Sequence, residues 1–396
     1  MKGDLALLGA VGAAMVAVPA AVLLWSGQPL LAQAPPALPV SLPSSQTAPG
    51  EGDGLNQGAF STPAPGSPSS SEPEGDSRPV EGDEDPQTQE ALPNTVKGVW
   101  RSPVTTLRIL DQGSGEVVEL SLADYTRYAI AAEMPASYHL EALKAQGVAA
   151  LTYALQEAIA QRSLPEEARD PKLKGADFAA DPGDRRGYMT EATAREFYGE
   201  QFDYSWNRIT QAARAACRCV ALYDGEPIAA AYHAISAGDT TERAENIWNG
   251  PLPYLVEAES NWDILAPGYK STVSVTDGEL KELLTAAGAT LLPDPATWLS
   301  IQERSPAGYV TQVQAGSITL HGNQLRNLLG LRSSAFELER THTGYTFYVR
   351  GYGHGAGLSQ AGADYLARQG ETFDEILLHY YSGITLAEVV LSGEGM

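Results

Sequence analysis

Apolar residues recur along the chain with two different periods, and the switches between them mark its elements. From residue 99 to 110, and again from 116 to 120, apolar and polar positions alternate, as in a strand with one covered face. Between 122 and 133 the period lengthens to that of a helix, which Pro135 interrupts. Residues 140–160 place Leu143, Val148, Leu151 and Leu155 at helical spacing and predict a strong amphipathic helix, with Ser137 near its start as a cap. A short helix is expected over 192–198. Strand-like runs at 219–223 and 228–233 flank Asp224 and Gly225, a turn pair that predicts a β-hairpin. Residues 269–341 differ in texture: a strand at 272–275, a helix at 279–287, short strands at 310–313 and 318–320, and a helical run at 325–329. A strand at 347–350 then enters a glycine-rich loop, and helices are expected over 359–368 and 373–380.

Strands and helices mix without a regular β-α-β rhythm. The expected fold class is therefore α+β, with mixed sheets and packed helices. The expected domain is residues 95–396, with a smaller inserted subdomain at 268–342. Two segments precede it. Residues 5–25 carry no charge and are long enough, at roughly 1.5 Å per residue, to cross the ~30 Å hydrocarbon core, which predicts a membrane anchor within 1–27. Residues 28–94 are rich in Pro, Ser and Gly and acidic towards their end. Such a stretch lacks the apolar surface to offset its conformational entropy, and it is read as a disordered tether.

Charge and cysteine content narrow the chemistry. A formal net charge of −23 over 396 residues argues against a nucleic-acid partner, which needs a basic surface. Cys217 and Cys219 are the only two cysteines and stand too close in sequence to pair easily. No further ligands lie near them, so no metal and no cofactor is expected; two small buried apolar side chains on a strand are the simpler reading.

Three clusters hold candidate chemistry. The first is AAEMP at 131–135, where Glu133 lies among alanines, a methionine and a proline at a helix break. Desolvation there raises a carboxyl pKa, as a general acid at neutral pH requires, although a surface carboxylate or a helix-end ion pair fits the same residues. The second is YHAISAGDTT at 232–241. Its Tyr232, His233, Ser236 and Thr240 suit a loop that hydrogen-bonds sugar hydroxyls, a Ser236–His233 nucleophilic pair, or an ordinary turn. The third is RGYGHGAGLSQ at 350–360. Its alternating glycines, Gly353 and Gly355 among them, let backbone N–H groups approach a ligand, with His354, Ser359 and Gln360 beside them. No surrounding βαβ unit supports a nucleotide loop.

Together these clusters resemble the stage II sporulation protein D family over about residues 99–390. The resemblance is carried by AAEMPASYHLEALKAQGVAALTYAL (131–155), YHAISAGDTTERAENIWNGPLPYL (232–255), GYGHGAGLSQAGA (351–363) and HYYSGITL (379–386), in that order. It implies a peptidoglycan lytic transglycosylase that acts on glycan strands stripped of stem peptides, with Glu133 as its catalytic acid. Tyr232, His233, Ser236, Thr240, Gly353, His354, Gly355, Ser359 and Gln360 would then bind sugar or position the acetamido group. One carboxyl is sufficient for such an enzyme; a hydrolase needs a second, for which Asp239 and Glu242 are nearest by motif. The resemblance also implies a membrane-anchored head facing outward, peptidoglycan as partner, and a link to a wall amidase and other membrane proteins of engulfment. A non-catalytic wall-binding module that stimulates an amidase is the alternative. Leu151, Ala234 and Ala237 depart from the family's usual residues, and residues 179–183 lack the cysteines with which some relatives bind zinc.

Overall fold

A computed structural model describes residues 91–392, apart from residues 184 and 249. The anchor expected within 1–27 and the tether expected over nearly all of 28–94 lie outside the described residues. Among the described residues, no helix is long and apolar enough to cross a membrane.

The chain enters through β1 (Val96–Ser102) and β2 (Thr106–Asp111), with Pro103 dividing what the alternation suggested was one strand. Proline cannot donate to a ladder, so the run breaks and its halves join different sheets. Next come β3 (Val117–Ser121) and α1 (Leu122–Glu133), whose first turn is capped by the Ser121 side chain. The helix stops where Met134 turns extended, as expected before Pro135.

The following helix, α2 (Leu140–Ser163), is not amphipathic. Every residue from Ala142 to Leu155 is buried, which is the pattern of a central helix enclosed on all sides. It packs against the remaining elements of the core: α4 (Phe202–Ala216), β5 (Cys219–Tyr223), α7 (Gln360–Gln369) and α8 (Phe373–Tyr380), besides α1. Three of its enclosed polar members, Lys144, Gln146 and Thr152, have partners. Lys144 pairs with Glu141 at 2.8 Å, and Gln146 accepts from Gln360 at 3.2 Å. Its cap is His139, whose ring nitrogen accepts from Glu141 N, and not the exposed Ser137.

Between α2 and β5 lie β4 (Phe178–Ala180), α3 (Glu191–Tyr198) and α4, a long helix that the sequence reading did not anticipate. Cys217 caps the end of α4 and only Cys219 belongs to a strand, so the two thiols do not share a strand face. Cys219 is fully buried. The hairpin at Asp224–Gly225 forms, but its return strand, β6, is only Glu226–Pro227. Successive tight turns centred on Ala229 and Ala230, closed by i→i−2 hydrogen bonds, end the pairing. Tyr232–His233 then forms β7, which pairs elsewhere, parallel to β14 (Leu358–Ser359).

The later elements are β8 (Lys270–Thr276), α5 (Asp277–Ala286), β9 (Leu299–Arg304), β10 (Val310–Ala315), β11 (Ile318–Leu320), α6 (Gly322–Leu329), β12 (Phe336–Arg340), β13 (Gly344–Arg350) and β15 (Thr385–Leu391). Their sheets run β12-β13-β8 and β11-β10-β9, and the apolar residues of these strands and of α5 and α6 form a core cluster of their own. The other sheets are β1-β15-β5-β6 and β3-β2-β4. The expectation of mixed sheets with packed helices matches: β1 runs parallel to β15, while β15 runs antiparallel to β5.

Candidate active site around Glu133

Glu133 ends α1 and faces the segment that starts at β7. It keeps partial access to solvent, yet protein mass surrounds it deeply enough for burial to push its carboxyl up to about 8. The Tyr232 hydroxyl is directed at this carboxyl and partly offsets the shift, although it closes no hydrogen bond of normal geometry. Tyr125 lies eight residues earlier on α1, a little over two turns, and its hydroxyl is likewise buried without a partner. Burial raises both phenols, and the nearby Glu133 charge adds to the effect. Tyr352 also feels that charge. The arrangement is an acid able to stay neutral near pH 7, with the Tyr232 hydroxyl directed at it and the Tyr125 phenol close enough to feel its charge.

A second layer fixes Tyr232. His354 accepts from Ala356 N at 3.1 Å through Nδ1 and donates to the Tyr232 carbonyl, which defines a neutral ring with its proton on Nε2. His233 makes its Nδ1 contact with the Ala356 carbonyl at 3.1 Å, so that nitrogen carries the proton and Nε2 is left buried without a partner. Burial holds the His233 pKa down to about 4 and that of His354 well below the usual histidine range. The two rings lie 5.8 Å apart, and Trp248 stands 5.2 Å from His354.

The glycines of the 350–360 loop permit a close approach within the protein itself. A Cβ on Gly353 would lie 2.6 Å from His233 Cβ, and one on Gly355 only 2.3 Å from Tyr309. Both have φ in the left-handed region, at 115° and 90°. The close approach they permit is therefore between this loop and the protein's own 232–242 segment. Ser236 and Ser359 are buried in the same seam. One carboxylate oxygen of Asp263 accepts from Ser236 N at 2.5 Å and from the Ser359 hydroxyl at 2.5 Å, while that hydroxyl also caps α7. Gln360 reaches back to α2 through Gln146. These residues hold the two motifs together and present little surface to a substrate. Thr240 lies in the neighbouring loop, where its carbonyl accepts from Ser236 Oγ at 2.9 Å.

That last bond removes the serine-nucleophile arrangement, because Ser236 is not hydrogen-bonded to His233 and both side chains are engaged elsewhere. Glu242 is not a free second carboxylate either. It is fully buried and accepts from Arg243 N at 2.8 Å, from Asn246 at 2.8 Å and from Ser305. Asp239 is exposed. Among the described residues, no three His, Cys, Asp or Glu side chains gather as metal ligands.

Sequence reasoning did not select Tyr125, Trp248, Tyr352 or Asp263. Tyr125 had little signal, since an offset of eight residues on α1 puts it about 12 Å along the helix from Glu133. Asp263 had none, since its role depends on three chain segments meeting.

The chain has known relatives. The family model described as "Stage II sporulation protein" matches residues 111–223, a span that includes Glu133 and α2. Stage II sporulation protein D of Bacillus subtilis (strain 168) is 32% identical over 287 residues, covering 72% of this chain and 80% of that protein. Its counterpart in Bacillus amyloliquefaciens is 31% identical over the same length. A Bacillus subtilis protein named "Amidase enhancer" is 28% identical over 306 residues, covering 64% of this chain and 39% of its own length. With four-fifths of a 32%-identical protein covered, this chain belongs to the stage II sporulation protein D family.

Proposed function

We propose that this protein is a peptidoglycan lytic transglycosylase that cuts glycan strands lacking stem peptides, between N-acetylmuramic acid and N-acetylglucosamine. The observation that carries the reading is a carboxyl group pushed up to about 8 with the Tyr232 hydroxyl, which has no other partner, directed at it. Neutral Glu133 donates its proton to the glycosidic oxygen, and the N-acetylglucosamine side leaves as a free 4-hydroxyl. An oxocarbenium-like centre remains at C1 of the muramic acid, while Glu133, now a carboxylate, accepts from Tyr232. Glu133 then takes the proton of the 6-hydroxyl as that oxygen bonds to C1. A 1,6-anhydro ring closes, the carboxyl returns to its starting state, and no second carboxylate is required. The buried and fully bonded state of Glu242 agrees with this economy.

In the same reading, residues 1–27 anchor the chain in the cell membrane, residues 28–94 act as a spacer, and the folded head works outside the membrane on septal wall during sporulation and engulfment. The decisive test is product analysis of denuded strands incubated with the protein. Anhydro-muramyl ends are expected, and they are expected to vanish in Glu133→Gln while strand binding persists. Normal turnover by that variant refutes the assignment.

The similarity to a protein named "Amidase enhancer" favours one second reading, a wall-binding module that stimulates a partner amidase. It predicts strand retention without any cleavage products, and amidase stimulation that survives Glu133→Gln.

A further inference from the structure

Two exposed rings flank the segment that carries Glu133. Among the described residues, the large exposed apolar groups include only three aromatic side chains: Phe197 at 53%, Tyr204 at 60% and Tyr348 at 47%. Tyr348 lies on β13, where its hydroxyl donates to Glu339 at 2.8 Å. The other two lie on α3 and α4, and short chains of contacts tie each to the Glu133 segment. Phe197 packs edge-on against Tyr198 at 5.0 Å, and the Tyr198 hydroxyl donates to the Ala131 carbonyl at 3.4 Å. Tyr204 lies 5.7 Å from the Arg208 guanidinium, which donates to the Ala136 and Tyr138 carbonyls at 2.9 and 2.8 Å. The Arg185 guanidinium sits 4.1 Å from the Phe197 ring centre. Among the described residues, neither Arg185 nor Arg208 forms an ion pair with a carboxylate, in a chain whose net charge is −23.

Rings that lie open to water beside uncompensated cations suit a ligand with apolar faces and an anionic group. N-acetylhexosamine rings present C–H faces that aromatic side chains cover well. Each muramic acid in a denuded strand carries a free lactyl carboxylate, which a guanidinium receives in a two-pronged hydrogen bond. When a stem peptide is attached, that carboxylate is an amide and carries no charge.

We propose that the α3–α4 face is an outlying glycan subsite of the Glu133 site, with Phe197 and Tyr204 stacking on sugar rings and Arg185 receiving a lactyl carboxylate. The inference rests on the substrate proposed above and adds a means of selection. The subsite grips stripped strands and loses its ionic contact to peptide-bearing ones.

The test measures binding of denuded and peptide-bearing strands to the full chain carrying Glu133→Gln. Adding Tyr204→Ala or Phe197→Ala is expected to weaken binding of denuded strands about tenfold each, the scale of a truncated aromatic anchor. Tyr204→Trp is expected to restore it, and Tyr348→Ala to leave it within about twofold of the parent. Arg185→Ala is expected to weaken denuded strands by about tenfold while leaving peptide-bearing ones unchanged. Phe197 and Tyr204 variants that bind like Tyr348→Ala overturn the subsite, and so does an equal effect of Arg185→Ala on both strand types. Strand binding with no anhydro products from the chain with Glu133 intact removes the transglycosylase reading alone. A chain that does not bind denuded strands removes both.

Discussion

Replacing Glu133 by glutamine tests the central claim through stability, independently of catalysis. The carboxyl moves from an ordinary 4.5 in the unfolded chain to about 8 in the fold, because burial disfavours its charged form. A group raised in this way contributes its stability fully below the unfolded value and loses it as pH climbs towards the folded value. The native state holds a proton that the unfolded state has released, so the penalty grows between pH 4.5 and about 8 and is constant above. At 1.36 kcal/mol per unit, the ceiling is about 5 kcal/mol. Partial solvent access at Glu133 reduces this, and about 2–3 kcal/mol is the working expectation. Glutamine carries no proton to lose. Urea denaturation at pH 4, 7 and 9 is therefore expected to show the variant close to the wild type at pH 4 and progressively more stable than it towards pH 9. A stability difference that stays the same at all three pH values would mean that Glu133 titrates as an ordinary surface carboxylate, and the general-acid argument would fail with it.

Other outcomes follow from the same geometry. Activity on denuded strands should decline as pH rises through about 8, where Glu133 surrenders its proton, and the limb should sit there rather than near 6. Tyr232→Phe removes a hydroxyl that holds the Glu133 pKa down, so the alkaline limb should move upward while turnover falls by about ten- to a hundredfold. A pH–rate profile reads both. Gly355→Ala drives a methyl to 2.3 Å from the Tyr309 ring at a left-handed φ of 90°, and should cost about 2–4 kcal/mol in urea denaturation. Gly370→Ala, with a φ of 106° but open space around its Cβ, should cost only about 1 kcal/mol. Asp263→Ala strips the acceptor shared by Ser236 N and Ser359 Oγ and should destabilise by about 2–4 kcal/mol, with Asp263→Asn losing less because its amide oxygen can still accept.

Much of the local structure was legible in the chain itself. The ends of α1 follow from Ser121, whose side chain caps it, and from Pro135, which forbids its extension. The short helix at Glu191–Tyr198 and the final helix at Phe373–Tyr380 lie almost where period alone puts them. Glu133 could be chosen from its own neighbours, because alanine, methionine and proline around a carboxylate predict desolvation before any partner is known.

What the chain could not reveal is which surfaces would meet. Leu143, Val148, Leu151 and Leu155 suggest a single apolar stripe along α2, yet alanines carry apolar surface right round the helix and it is enclosed, with Lys144 bonded to Glu141 and Gln146 to Gln360. The second strand of the expected hairpin stops after two residues, and Tyr232–His233 pairs with Leu358–Ser359, more than a hundred positions away. The alternating glycines carry no mark that they pack against the 232–242 segment. Local sequence fixes propensity, caps and breaks, since those depend on a few neighbouring residues. Tertiary structure alone decides which buried polar groups find partners and which, like the hydroxyls of Tyr125 and Tyr232, are left without one.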